Sequence, residues 1–213
     1  RNFFGLFPLF IYIFFSYRVR NKNNIFNFNH KLISVGRGLC IVFAQGCFYF
    51  SIMNLEYATA ATLVFATPIF LTALSVPILG NIVGPWRWSA VFFGFIGIVI
   101  IVKPGSDIFS IYALLPVGAA FGYALSSVLV KLFPNEVHTA NIQLYTQTTT
   151  LLSAIIIASI TLSFSYIDSL YDLFLLAIIG FTGGTGVIFL IWGYRLTEPS
   201  LIAPFEYFGL PIA

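Results

Sequence analysis

Val91-Phe92-Phe93-Gly94-Phe95-Ile96-Gly97-Ile98-Val99-Ile100-Ile101-Val102 carries neither a charge nor a polar side chain. Residues 155–162 are almost continuously apolar as well, in Ile155-Ile156-Ile157-Ala158-Ser159-Ile160-Thr161-Leu162. A transmembrane barrel strand alternates apolar and polar positions, and these runs do not. A helix in lipid fits both, because it bonds every backbone group within its own segment.

Outward from these runs the character holds. Of 213 residues, 59% are hydrophobic and 8% are charged, against about 25% charged in an ordinary soluble domain. Mean hydropathy is +0.97, so lipid is the solvent for most of the chain. Segments of membrane-crossing length fall near residues 3–17, 35–53, 58–79, 87–102, 108–131, 139–162, 173–194 and 199–213, roughly eight spans at about 20 residues each. Gly, Pro, Ser and Asp mark the breaks at 81–85, 103–107 and 197–200, and Pro199 stands where a first-turn proline is tolerated. Apolar runs at both ends, and a first residue that is Arg, lead us to expect an internal piece of a longer protein.

Successive connections alternate between the two sides of a membrane. One side then collects Arg18, Arg20, Lys22, Lys31, Arg37, Arg87, Lys131 and Arg195, and the other only Arg1 and Lys103. Lys and Arg concentrate in cytoplasmic loops, so residues 18–31 are expected in the cytoplasm. The opposite face carries Glu56, Asp107, Asp168 and Asp172. The net charge of +3 belongs to these connections and implies no nucleic-acid partner.

Little in the sequence suggests catalysis. His30 and His138 fall in expected loops, Cys40 and Cys47 sit in an apolar run as packing residues, and Asp168 with Asp172 reads as a solvated outer loop. No catalytic residue, metal site or cofactor is expected. No phosphate-cradling P-loop is present, so any transport is driven by gradients or by a partner. Gly118, Gly122 and Ser126, and separately Gly180 and Gly184, recur at spacings of four and let helices approach closely. Pro68, Pro77, Pro116 and Pro204 free backbone carbonyls that protein, water or solute must satisfy.

Several stretches share one pattern. They are Gly36-Arg37-Gly38 opening a span, Asn54-Leu55-Glu56-Tyr57-Ala58-Thr59-Ala60-Ala61-Thr62 entering the next, Ala66-Thr67-Pro68-Ile69-Phe70 within it, and Gly94-Phe95-Ile96-Gly97 running to Lys103-Pro104. With Ala203-Pro204-Phe205-Glu206-Tyr207 they make a chain that resembles the EamA family of the drug/metabolite transporter superfamily. The resemblance implies an all-α polytopic bundle of two inverted five-helix repeats, of which about eight of ten spans are present. Residues 1–103 would form the first repeat without its first helix, and residues 108–213 the second, truncated in its fourth. Laying residues 48–70 on 189–212, with Leu55 over Leu196, aligns two span, loop and span units. Gly80 is followed by Asn81 where the family often has a Gly-Glu pair, so no role is carried over to that carboxylate.

The expected function is secondary transport of a small metabolite or drug-like solute across the cytoplasmic, or inner, membrane. The resemblance implies export by alternating access between the repeats. Polar and aromatic groups at membrane depth are the binding candidates: Glu206, Tyr207, Gln45, Tyr49, Tyr123, Trp192 and Arg37. Glu206 is singled out as the acidic residue well inside an expected span, and Arg37 as an anchor at a span's start. Solute and membrane lipids are the expected partners, with a homodimer left open. A membrane-embedded lipid-modifying enzyme and a non-transporting scaffold are the alternatives, which vesicle flux would separate.

Overall fold

The computed structural model describes residues 2–19, 30–102, 111–135, 137–161, 169–198 and 202. Glu206, Tyr207, Pro204 and Asp168 lie outside the described residues. The regular elements are helices: α1 (Leu6–Val19), α2 (Lys31–Ile52), α3 (Tyr57–Val64), α4 (Thr67–Leu79), α5 (Pro85–Val102), α6 (Leu114–Leu129), α7 (Thr139–Thr161) and α8 (Leu170–Leu196). Short 3₁₀ turns precede and follow α6. Among the described residues no strand is present. Among the described residues four stretches are long and apolar enough to cross a membrane: Lys31–Ile52, Tyr57–Leu79, Ile111–Leu132 and Leu170–Leu196. The architecture is that of a polytopic helical membrane protein.

The expected segments coincide with helices, apart from 199–213, which is outside the described residues save Ile202. Three boundaries differ for physical reasons. α1 has 14 residues, about 21 Å of helix, which is less than the hydrocarbon thickness of about 30 Å. The segment at 58–79 is two helices with a turn at Phe65-Ala66. Pro68 has no N–H to give the Val64 carbonyl, and the Thr67 hydroxyl donates to that carbonyl instead at 2.7 Å. This proline's free carbonyl is satisfied within the protein, and the break is a kink rather than a solute site.

The third difference concerns the start of the helix that carries Arg37. α2 begins at Lys31, because nothing between residues 31 and 35 breaks a helix. Arg37 therefore lies well inside the helix, only 2% exposed.

The chain forms two compact units. The first comprises residues 1–39 and 133–195, and the second residues 40–132 and 196–213. In the first, α1 and α8 enclose α7 residues: Leu9, Ala140 and Ile188 make one core cluster, and Phe133 with Ile142 makes another. Gly184 holds α8 against α1, since a Cβ there would stand 2.8 Å from the Gly5 carbonyl oxygen and from Pro8. Arg195, in the last turn of α8, donates to the carbonyls of Pro134, Asn135 and Val137 and to the Thr139 hydroxyl. It staples the approach to α7, whose first turn also gains the Ala140 N–H bond to His138 Nδ1.

In the second unit α3 and α4 pack on α6 around Ala66, Ile69 and Ala120. A Cβ on Gly122 would come within 3.0 Å of the Cys40 carbonyl and Ala44, and one on Gly118 within 3.8 Å of Cys47 Sγ. The small-residue face of α6 thus serves close packing on α2, where it meets the Cys47 side chain. α4 ends at Gly80, whose φ of 68° is the left-handed cap that a Cβ would strain.

Candidate functional site

A polar face inside the first unit

α7 is 23 residues long, yet its first half reads Gln143-Leu144-Tyr145-Thr146-Gln147-Thr148-Thr149-Thr150. Gln143, Thr146, Gln147 and Thr150 follow the i, i+3, i+4, i+7 spacing that places side chains on one helix face. That face is turned inward: Gln143, Thr146 and Thr150 are each 3% exposed or less. The threonines neutralise themselves locally, Thr146 on the Ile142 carbonyl at 2.7 Å and Thr150 on that of Gln147 at 2.9 Å.

A carboxamide cannot be satisfied that way, and the glutamines bond outward. Gln147 Nε2 donates to the Asn2 carbonyl at 2.9 Å, and Gln143 Nε2 donates to Gln147 Oε1 at 3.3 Å. Gln143 Oε1 has no partner among the described residues, and neither does the buried hydroxyl of Ser34 on α2.

Arg37 completes the group. Its Nη1 donates to Thr146 Oγ1 at 2.9 Å. Its neighbour Gly38 brings the α2 backbone this close, since a Cβ there would stand 2.7 Å from Thr149 Cβ and 3.3 Å from the Thr146 carbonyl. The cluster thus combines a cation, hydroxyls, and a carbonyl acceptor in a low-dielectric interior, where each interaction is stronger than in water. A buried ionisable group within an apolar helix is a candidate functional residue.

Of the other candidates, Trp192 lies in the same unit but lines a separate cleft of about 360 Å³ between α1 and α8, with Tyr12, Phe15, Phe181 and Phe189. That cleft is almost wholly apolar. Gln45 and Tyr49 on α2, and Tyr123 on α6, belong to the second unit, and Tyr49 is exposed. No group of three His, Cys, Asp or Glu side chains able to hold a metal ion occurs among the described residues.

Residues 1–103 match the EamA-like transporter family. The S-adenosylmethionine uptake transporter of Rickettsia prowazekii is 25% identical over 190 residues, 89% of this chain and 64% of the relative. The riboflavin transporter of Rhizobium johnstonii is 31% identical over 156 residues, 72% of this chain and 50% of the relative. The riboflavin transporter of Vibrio cholerae is 46% identical over 69 residues, 32% of this chain and 23% of the relative. The chain thus spans 64% of the length of the first relative, and these names describe transporters, not enzymes.

Proposed function

From the match of residues 1–103 to the EamA-like transporter family, we propose that this chain is a secondary transporter carrying a small organic metabolite across the cytoplasmic membrane, with Arg37 and the polar face of α7 at its solute site. The observation that carries the reading is Arg37 itself, a guanidinium 2% exposed inside an apolar helix. Such a charge is costly in lipid, and packing alone gives no reason to keep it.

Residues 1–103 and 108–213 are proposed as the two inverted repeats, with alternating access between them and residues 18–31 in the cytoplasm. The charge asymmetry of the connections supports that orientation. For the solute, the relatives' names point to S-adenosylmethionine and riboflavin. Both carry a flat nitrogen heterocycle and a polyhydroxylated segment. We take inward movement as the direction, following the word uptake in the relatives' names, over the export implied by the resemblance.

Vesicles reconstituted with the chain are expected to accumulate one of these two solutes, and flux should depend on an ion gradient rather than on ATP. Movement only from inside to outside would restore export. Conversion of lipid without flux would favour the membrane enzyme, and neither would favour the scaffold.

A further inference from the structure

We propose that the side-chain carbonyl of Gln143 is the acceptor that selects the solute through an N–H group, so that the transported molecule presents an amine, amide or imide N–H beside an oxygen acceptor. The inference rests on the transport reading and specifies its site. It begins with the orientation of two carboxamides, which the backbone fixes.

The Asn2 carbonyl can only accept, so Gln147 must turn its nitrogen toward it, at 2.9 Å. That leaves Gln147 Oε1 facing Gln143, which answers with its own nitrogen at 3.3 Å. Gln143 Oε1 is therefore directed away from the relay, without a partner among the described residues, on a side chain 2% exposed. A carboxamide that served only to tie helices would use both ends, and a buried carbonyl left unbonded is costly. The idle acceptor calls for a donor from outside the fold.

The neighbouring positions define what accompanies that donor. One turn along the same face, about 4.5 Å along the axis, Thr146 holds the guanidinium of Arg37 at 2.9 Å. A donor-reading oxygen beside a cation is complementary to an N–H adjacent to an oxygen acceptor. The ammonium and carboxylate of an amino-acid group have that arrangement, and so does the N–H and C=O edge of an imide ring. Ser34, fully buried with its hydroxyl also unpartnered among the described residues, adds a second polar group in the same unit.

Equilibrium binding to the full chain in lipid nanodiscs tests this. The amine-bearing and imide-bearing solutes of the uptake assay are each paired with the analogue whose donor nitrogen is fully methylated; in the ammonium case this keeps the charge. Wild type is expected to bind one parent at least about tenfold tighter than its methylated form. Discrimination in the amine pair alone assigns the donor to the ammonium, and in the imide pair alone to the ring. Gln143→Met, similar in length but without an acceptor, should bring the pair within about twofold, whereas Gln143→Glu keeps the preference.

Equal wild-type binding of parent and analogue overturns the assignment, as does binding of none of the four, or an unchanged preference in Gln143→Met. Because the readout is binding, discrimination without flux in vesicles would sink the transport reading and leave the Gln143 assignment standing. Flux without discrimination would do the reverse.

Discussion

The two units bury different kinds of polar side chain. Among the described residues of the second, the buried polar ones are Ser51, Thr67, Thr72, Ser75, Ser126 and Ser127, all hydroxyls. Ser51, Thr67, Thr72 and Ser75 each bond a carbonyl three or four residues earlier, at 2.7 to 3.0 Å. In the first unit the buried set includes Arg37, Asn141 and Gln143 as well as Ser and Thr. A hydroxyl disappears into its own helix, but a guanidinium or a carboxamide has too many donors and acceptors for one carbonyl and must reach across. Within its described residues, the second unit is polar only as far as a helix in lipid tolerates. The first carries polarity in excess of what folding needs, which is where a solute site is expected.

The strongest way to break this contrast is at Arg37. Arg37→Gln leaves the helix intact but removes the charge-assisted bond to Thr146, a contact worth about 1.5–3 kcal/mol. Solute flux should fall by about ten- to a hundredfold, with the amount of protein in the membrane unchanged. Arg37→Lys keeps the charge without the planar fork, and its flux should lie between the two. Wild-type flux in Arg37→Gln would reduce the first unit's polarity to packing and erase the difference between the units.

A smaller effect separates two glycines of the same helix. Gly38 faces α7 with no room for a Cβ, whereas Gly46, further along α2, has nothing within 4 Å of that position. Gly38→Ala should force α2 from Thr149 and Thr146, costing about 1–3 kcal/mol in stability and weakening the reach of Arg37. Gly46→Ala meets nothing and should match wild type or gain slightly from reduced chain entropy. Thermal unfolding with flux measured in parallel checks the pair. Equal loss at both positions would show that glycine matters here through helix flexibility rather than close approach.

Much of the fold is legible in the sequence. Apolar length locates the helices, Gly80 and Pro85 mark the stop of α4 and the start of α5, and Gly118 with Gly122 identifies the face on which α6 meets α2. The site is less so. Arg37 reads as the edge of a span because Lys31 to Ser34 are less apolar, but a helix continues past the lipid boundary until something breaks it. The α7 face is written at 143, 146, 147 and 150, and the signal that finds it is helical spacing applied to uncharged polar residues. A search for charges and aromatics passes over it, since Gln and Thr become conspicuous only when burial is known. Tyr49 and Trp192 show the converse: both are large and suggestive in sequence, and both are exposed.

The smallest effect is expected at an exposed ion pair of the second unit. Arg87 Nη1 meets Glu198 Oε2 at 3.3 Å, with side chains 35% and 53% exposed. Water screens both partners, and holding two long side chains in one geometry costs entropy, so exposed pairs contribute about 0–1 kcal/mol. Glu198→Gln, which keeps size and polarity while removing the charge, should therefore shift the unfolding midpoint by no more than about 2 °C and leave flux unchanged. Added salt should lower wild type toward the variant, because a Debye length of about 8 Å at physiological ionic strength already weakens exposed charges. A larger, salt-insensitive drop would mean that this pair is a structural tie, and that polarity holds the second unit together as it does the first.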